Sequence, residues 1–177
     1  MSGTDNSLLW YKVKLRADRC PKDPFNVLDC FGGYGETWKM VCRYTSRNDI
    51  KRDGIDFESR PHCVRGDNRK WLMAIKLQQY QVIDLDAYGV PFEQTKILIQ
   101  RKYKGIVFFT LIQSMLGNCP VKLLAENGIT KDMAHQCPTL FGSKAFEYYL
   151  SYLSDNGVKS VFHRSKFRKH YGYFELV

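Results

Sequence analysis

Residues 26–38, NVLDCFGGYGETW, set an apolar run, an acid (Asp29), three glycines (Gly32, Gly33, Gly35) and a helix-like segment in that order. This is the order of a parallel strand handing over to a helix through a tight turn. Glycines let the backbone turn sharply and approach a ligand that a Cβ would block. The helix amides and dipole beyond them favour an anionic group. The stretch therefore restricts the chain to folds with a strand–loop–helix ligand site.

The rest of the chain alternates in the same way. Phe25–Phe31 reads as a buried strand and Glu36–Tyr44 as a helix packing Trp38, Val41 and Cys42. Ser46–Asp53 reads as a polar loop, followed by short strands at Gly54–Phe57 and His62–Arg65. A helix is expected over Asn68–Gln78, a strand over Tyr80–Leu85 and a helix over Phe92–Arg101. Gly105–Ile112 is a continuous apolar strand of the kind buried on both faces of a parallel sheet. Lys144–Leu153 carries a helical stripe of Phe146, Tyr149 and Leu153, read as core. Lys159–Arg164 and Tyr171–Val177 read as a terminal hairpin around a basic turn. The N-terminal residues Met1–Ser7 read as frayed, and Leu8–Leu15 as a strand or a short packing segment. The expected fold class is α/β, with a mostly parallel sheet and an antiparallel C-terminal strand. Residues 1–177 are expected to form one domain, with 1–24 as an N-terminal extension packing on it.

Two further acids stand where a ligand site of this kind needs them. Asp56 closes the short strand in GIDFE, 21 residues beyond Gly35. A carboxylate at about that distance can accept hydrogen bonds from ribose hydroxyls. Glu58, Asp49 and Asp53 compete for the same role. Asp67, in Gly66-Asp67-Asn68, can cap the helix that follows, accept from an adenine amino group, or do both. Another strand ends in VIDLDAYGVP (Val82–Pro91), which puts Asp84, Asp86, Tyr88 and Gly89 at the carboxyl end where open α/β sheets hold ligands.

The net charge of +9 points to a polyanionic partner, nucleic acid first, since clustered cations release condensed counterions on binding it. Lys159, Arg164, Lys166, Arg168 and Lys169, interleaved with Phe162, Phe167 and Tyr171, suit looped or single-stranded RNA. Arg101–Lys104 is a second basic candidate. His163 and His170 are expected at the surface or on phosphates. Six scattered cysteines show no zinc spacing and are expected as reduced thiols, with Cys30 closest to the glycine loop. The absence of a leader pattern or a long apolar run leads to the expectation of a cytoplasmic protein with no membrane partner.

Taken in order, LDCFGGYGE, the acid of GID, Asp67 and DLDAYG resemble the motifs of class I S-adenosylmethionine-dependent methyltransferases. The resemblance runs from Phe25 to Leu176. It implies a Rossmann-like fold and S-adenosylmethionine as cofactor. Asp29, Phe31, Gly32, Gly33, Gly35, Asp56, Phe57, Asp67, Asn68 and Asp84 are its implied contacts. VIDLDAYGVP is similar to the DxDPYG segment of tRNA guanosine methyltransferases that modify an exocyclic amine. By that resemblance Asp86 orients and deprotonates the amine, and Tyr88 stacks near the base. Ala87 departs from it, standing where those relatives have a proline that fixes the backbone. The implied activity is methyl transfer to nucleic acid, RNA before DNA, at a base amine, with a partner subunit for target recognition possible. A small-molecule or protein methyltransferase, and a non-catalytic binding module, are the alternatives.

Overall fold

The computed structural model describes residues 8–113, 119–166 and 168–177. The reading of Met1–Ser7 and of Phe167 lies outside the described residues. Seven strands form one sheet: β1 (Phe25–Asp29), β2 (Ile50–Asp56), β3 (Cys63–Arg65), β4 (Val82–Asp86), β5 (Gly105–Ile112), β6 (Val161–Lys166) and β7 (Lys169–Leu176). Among the described residues eight α-helices accompany them: α1 (Leu9–Arg19), α2 (Glu36–Thr45), α3 (Asn68–Ala74), α4 (Phe92–Gln100), α5 (Val121–Glu126), α6 (Lys131–Gln136), α7 (Pro138–Gly142) and α8 (Ala145–Asp155). None is long and apolar enough to cross a membrane among the described residues.

The strand order is β3-β2-β1-β4-β5-β7-β6. Strands β1 to β5 pair in parallel, and β7 runs antiparallel to both β5 and β6. The order reverses at β1 and β4, so the crevice beyond their carboxyl ends is the natural ligand position.

Two hydrophobic layers hold the sheet. One face packs Leu28, Ile83, Leu85 and Phe109 against Leu72, Phe92, Leu98 and Tyr149 of α3, α4 and α8. The other packs Val27, Val82 and Phe108 against Val13, Leu15, Trp38 and Val41 of α1 and α2. The stripe on α8 is core as expected: Phe146, Tyr149 and Leu153 are all buried.

Two local expectations give way. Leu8–Leu15, read as a strand or a short packing segment, is not a strand: it caps and begins the 11-residue helix α1, which packs Val13 and Leu15 into the core. Its buried side includes Arg16, and a buried cation conceals the apolar 3.6-residue period. Strand β2 begins at Ile50, inside the stretch read as a loop, because Lys51, Arg52 and Asp53 mask its alternation. The helices α5 to α7 carry no expectation from sequence and are each five or six residues long. The crossover from β2 to β3 is residues 57–62 alone, where parallel strands usually take a dozen or more and a helix.

Candidate functional site

The glycine loop leaves β1 and enters α2 through Gly35, whose φ of 71° is left-handed and favours glycine. What presses on the loop from beneath is a protein side chain. A Cβ at Gly32 would lie 2.7 Å from Arg52 Nη2, and one at Gly35 would lie 2.9 Å from Nη1. Arg52 Nη2 also donates to the Gly32 carbonyl at 2.6 Å. At both glycines the Arg52 guanidinium, and at Gly32 also the Cys63 Sγ at 2.6 Å, takes the space that a Cβ would need.

Asp56 ties the loop from the side. Its carboxylate accepts from the Gly33 N–H at 2.9 Å and from the Glu58 N–H at 2.8 Å. It also lines a cavity of about 290 Å³ with Cys30, Phe31, Phe57, Gly66, Asp67, Asn68, Arg69 and Gln94. Five residues expected at a cofactor site (Phe31, Asp56, Phe57, Asp67 and Asn68) thus meet around one cavity, from three strand ends. Asp67 caps α3 by accepting from the Arg69 N–H at 2.9 Å, the first of the roles open to it from sequence, and also lines the cavity. Its pairing with Arg69 holds its carboxyl below the usual carboxylate range. Asn68 donates to the Cys30 carbonyl at 2.7 Å and accepts from Gln94 Nε2 at 2.9 Å. Gln94, Arg69 and Cys30 carried no expectation as lining residues. Gln94 comes from α4, distant in sequence from the other wall residues.

The competing acids fall elsewhere. Asp49 pairs with Arg47, and Glu58 pairs with Arg60 at the surface. Asp53 accepts from the Tyr80 hydroxyl at 2.8 Å and does not line that cavity. The Phe57 ring is 79% exposed at the cavity mouth, free to cover a planar ligand. The residues fit an adenosine: carboxylates for hydroxyl and amino donors, and aromatic rings for a base.

On the α1–α2 face of the sheet runs a row of three acids and three cations. Asp29 and Asp84 are register partners on β1 and β4, and Asp86 lies two residues further along the same face. Arg52 Nε donates to Asp29 at 2.9 Å. Arg16 grips Asp84 with two bonds, of 2.7 and 2.6 Å, and Trp38 Nε1 adds a third at 2.8 Å. Lys12 donates to both oxygens of Asp86, at 2.7 and 2.9 Å. Burial, and next the Asp84 charge, push the Asp29 carboxyl above its ordinary range, against the pull of Arg52. Burial also pushes Asp86 up, but Lys12 and then Arg16 carry it below its ordinary range.

This row corrects one expectation and redirects another. Asp84 was expected among the cofactor contacts, yet its side chain is 1% exposed and its oxygens are held by Arg16 and Trp38. It is the buried anchor of α1. Asp86 is at the expected place but already carries a cation, and its lowered pKa makes it a hydrogen-bond acceptor before a base.

Past Asp86 the chain turns through Ala87, whose N–H donates to the Leu85 carbonyl at 2.8 Å. Proline could not make that bond. The backbone at the position of the departure is therefore fixed by a hydrogen bond where a ring would otherwise do it. Tyr88 stands 82% exposed beside it, presenting its ring to solvent at the rim.

No family model matches the sequence, and no curated protein matches it. Solved structures do match. An SAH-bound methyltransferase from Podospora anserina aligns with a TM-score of 0.59 at 11% identity, over 98% of this chain and 80% of that one. An O-methyltransferase family protein from Burkholderia thailandensis aligns at 0.53 and 12%, over 96% of this chain and 55% of that one. The CurJ carbon methyltransferase aligns at 0.53 and 9%, over 90% of this chain and 50% of that one. The fold is the Rossmann-like methyltransferase fold. The chain spans four fifths of the first of these structures and about half the length of the other two.

On the methyltransferase fold the terminal hairpin stands beside the row of acids. Strand β6 alternates Phe162, Arg164 and Lys166 on one face, opposite Tyr173, Tyr171 and Lys169 of β7. The Arg164 guanidinium lies 5.3 Å from the Tyr11 ring of α1, and Arg19 lies 5.4 Å from Tyr173. Arg168 is exposed in the connecting turn. Lys159 is exposed before β6 begins, at the opposite end of that strand from Lys166. The expected basic set is therefore split, with Arg164, Lys166, Arg168 and Lys169 at the ligand end and Lys159 away from it. His170 stacks on Phe146 at 3.8 Å, and burial followed by His163 lowers its pKa. Burial pushes the Cys30 thiol far up, so it is an inert wall residue. No cluster of His, Cys, Asp or Glu among the described residues suits a metal ion.

Proposed function

We propose that this chain is an S-adenosylmethionine-dependent methyltransferase acting on nucleic acid, RNA-like, at a base amine. The observation that carries the reading is the cavity beyond the carboxyl ends of β1, β2 and β3, which Asp56 and Asp67 line together with Phe31 and Phe57. Asp56, oriented by two backbone N–H donors, accepts from ribose hydroxyls with the lone pairs they leave. Asp67, fixed by its cap to α3, accepts from the adenine amino group. Phe57 closes over the base plane. The bound cofactor supplies an activated methyl group on a sulfonium.

With that group in place, the protein's task is positioning and the exclusion of water. With the cofactor bound, Asp86 would accept an N–H of the acceptor amine, orient it, and take up the proton that the amine sheds on methylation, passing it on to water. Tyr88 offers its exposed ring to the acceptor base. A second reading, transfer to an oxygen or carbon of a smaller acceptor, draws on the names of two structural neighbours, an O-methyltransferase family protein and a carbon methyltransferase.

Tritium transfer from labelled S-adenosylmethionine to RNA, DNA and protein in parallel tests the proposal. Label in RNA that is lost in Asp86→Asn, with cofactor binding retained, is the expected result. Label confined to protein or small molecules overturns the nucleic-acid assignment. Loss of cofactor binding in Asp86→Asn would move that residue out of the acceptor role.

A further inference from the structure

A groove of about 220 Å³ opens between α1 and the β6–β7 hairpin, lined by Leu8, Tyr11, Arg164, Ser165, Lys166 and Tyr171. It lies at the same end of the sheet as Asp86, since the carboxyl ends of β4 and β6 point the same way. Its walls are aromatic and its charges are positive. Among the described residues, neither Arg164 nor Lys166 has a carboxylate within ion-pair distance. Two cations held at a concave surface without an anion are matched by a phosphate.

Lys12 joins this groove to the acceptor site. Its ammonium sits on both Asp86 oxygens and lies 5.7 Å from the Tyr171 ring, which is a wall of the groove. The ammonium thus fills the place that the proposed function gives to the acceptor amine. A neutral amine offers a weaker donor than an ammonium and cannot displace it unaided. An anion delivered to the groove gives Lys12 a second partner within reach of its flexible stem.

We propose that this groove receives a phosphate-bearing nucleotide of the acceptor, and that Lys12 is a specificity residue which opens Asp86 to the base amine only when that phosphate is present. The inference rests on the reading of the chain as an RNA methyltransferase and deepens it. Arg164 and Lys166 hold the phosphate, Tyr11 supplies apolar contact, and the Lys12 ammonium moves from Asp86 toward the phosphate. An acceptor lacking phosphate leaves the ion pair closed, so free nucleosides are poor substrates although they carry the same amine.

Three measurements on the full chain test this. In the first, label transfer to a short single-stranded RNA is compared with transfer to a mixture of the four ribonucleosides. Lys12→Gln is expected to raise the nucleoside-to-RNA ratio at least tenfold, while Lys12→Arg keeps the wild-type ratio. An unchanged ratio in Lys12→Gln, or an equal rise in both variants, overturns the specificity role.

In the second, the double variant Arg164→Gln/Lys166→Gln is expected to bind the same RNA at least fivefold more weakly. Its salt dependence should flatten by about one unit of log–log slope per removed cation. Wild-type affinity and slope in that variant overturn the groove. In the third, NMR of the labelled Asp86 carboxyl follows the ion pair without turnover. RNA should move its titration to higher pH, and an unmoved titration overturns the opening. A wild-type chain that binds S-adenosylmethionine yet methylates nothing refutes the catalytic reading alone, since the binding and NMR results stand apart from turnover.

Discussion

The two halves of the crevice hold their acids by different means. On the β2–β3 side, Asp56 is held by the backbone N–H groups of Gly33 and Glu58, and Asp67 by the N–H and guanidinium of Arg69, two residues along the chain. On the β4 side, Asp84 and Asp86 are held by side-chain cations of α1, 68 and 74 residues away. Backbone donors orient a carboxylate and leave it room to accept from a ligand. Side-chain cations neutralise it, so Asp56 keeps room to accept from a ligand, Asp67 carries the half-exposed Arg69, and Asp84 and Asp86 are closed by cations distant in the chain.

That contrast would break first at Arg16. Replacing it with Met strands the Asp84 charge in a site that is 1% exposed, with only Trp38 left to bond it. Urea unfolding should show a loss of about 3–5 kcal/mol, the range for breaking one side of a buried pair. Adding Asp84→Leu should recover part of that loss, and no recovery would mean that Arg16 acts through packing alone.

Asp56→Ala should do the reverse, sparing the fold and weakening S-adenosylmethionine at least tenfold, about 1.4 kcal/mol, by calorimetry. Unchanged affinity would remove the β2–β3 cavity from the cofactor site and erase the contrast.

The acid limb of stability sharpens the comparison. The Asp86 carboxyl lies below its ordinary range in the folded chain, held there by Lys12 and Arg16 against its burial. Its contribution is complete above about pH 4, where the unfolded group is ionised, and fades as pH falls through the lowered folded value. Lys12→Gln should raise that value and shrink the difference between stability at pH 6 and at pH 3. Equal acid limbs in the two proteins would show that Lys12 does not set the charge of Asp86.

The smallest effect is expected at Ala87. Proline there removes the N–H bond to Leu85, for about 0.5–1.5 kcal/mol in chemical unfolding. A stabilised Ala87→Pro would mean that the ring alone is the better device.

Much of the first half was legible in the sequence because its contacts are local. Asp67 precedes the helix that it caps, and Asp56 closes its own strand. The aromatic cavity walls, Phe31 and Phe57, each follow a strand within a few residues. Gln94 was not legible, since nothing in α4 signals that its side chain turns back toward Asn68. In the second half the positions of Asp84 and Asp86 were visible but their partners were not. Lys12, Arg16 and Arg52 look like ordinary surface cations in a chain with 27 Lys and Arg, and hydrophobic periodicity counts a buried arginine as a solvent residue.

The sequence by itself determined the strand–loop–helix start, the long apolar β5, the terminal hairpin and the acids at three strand ends. These follow from periodicity, turn chemistry and spacing, which act over a few residues. Only the tertiary structure decided which of those acids face a cavity and which are already neutralised. Helix α1 crosses the sheet face and places Arg16 and Lys12 over β4, while β2 slides Arg52 beneath the glycine loop. Coulomb pairing acts through space, whereas every signal read along the chain is local.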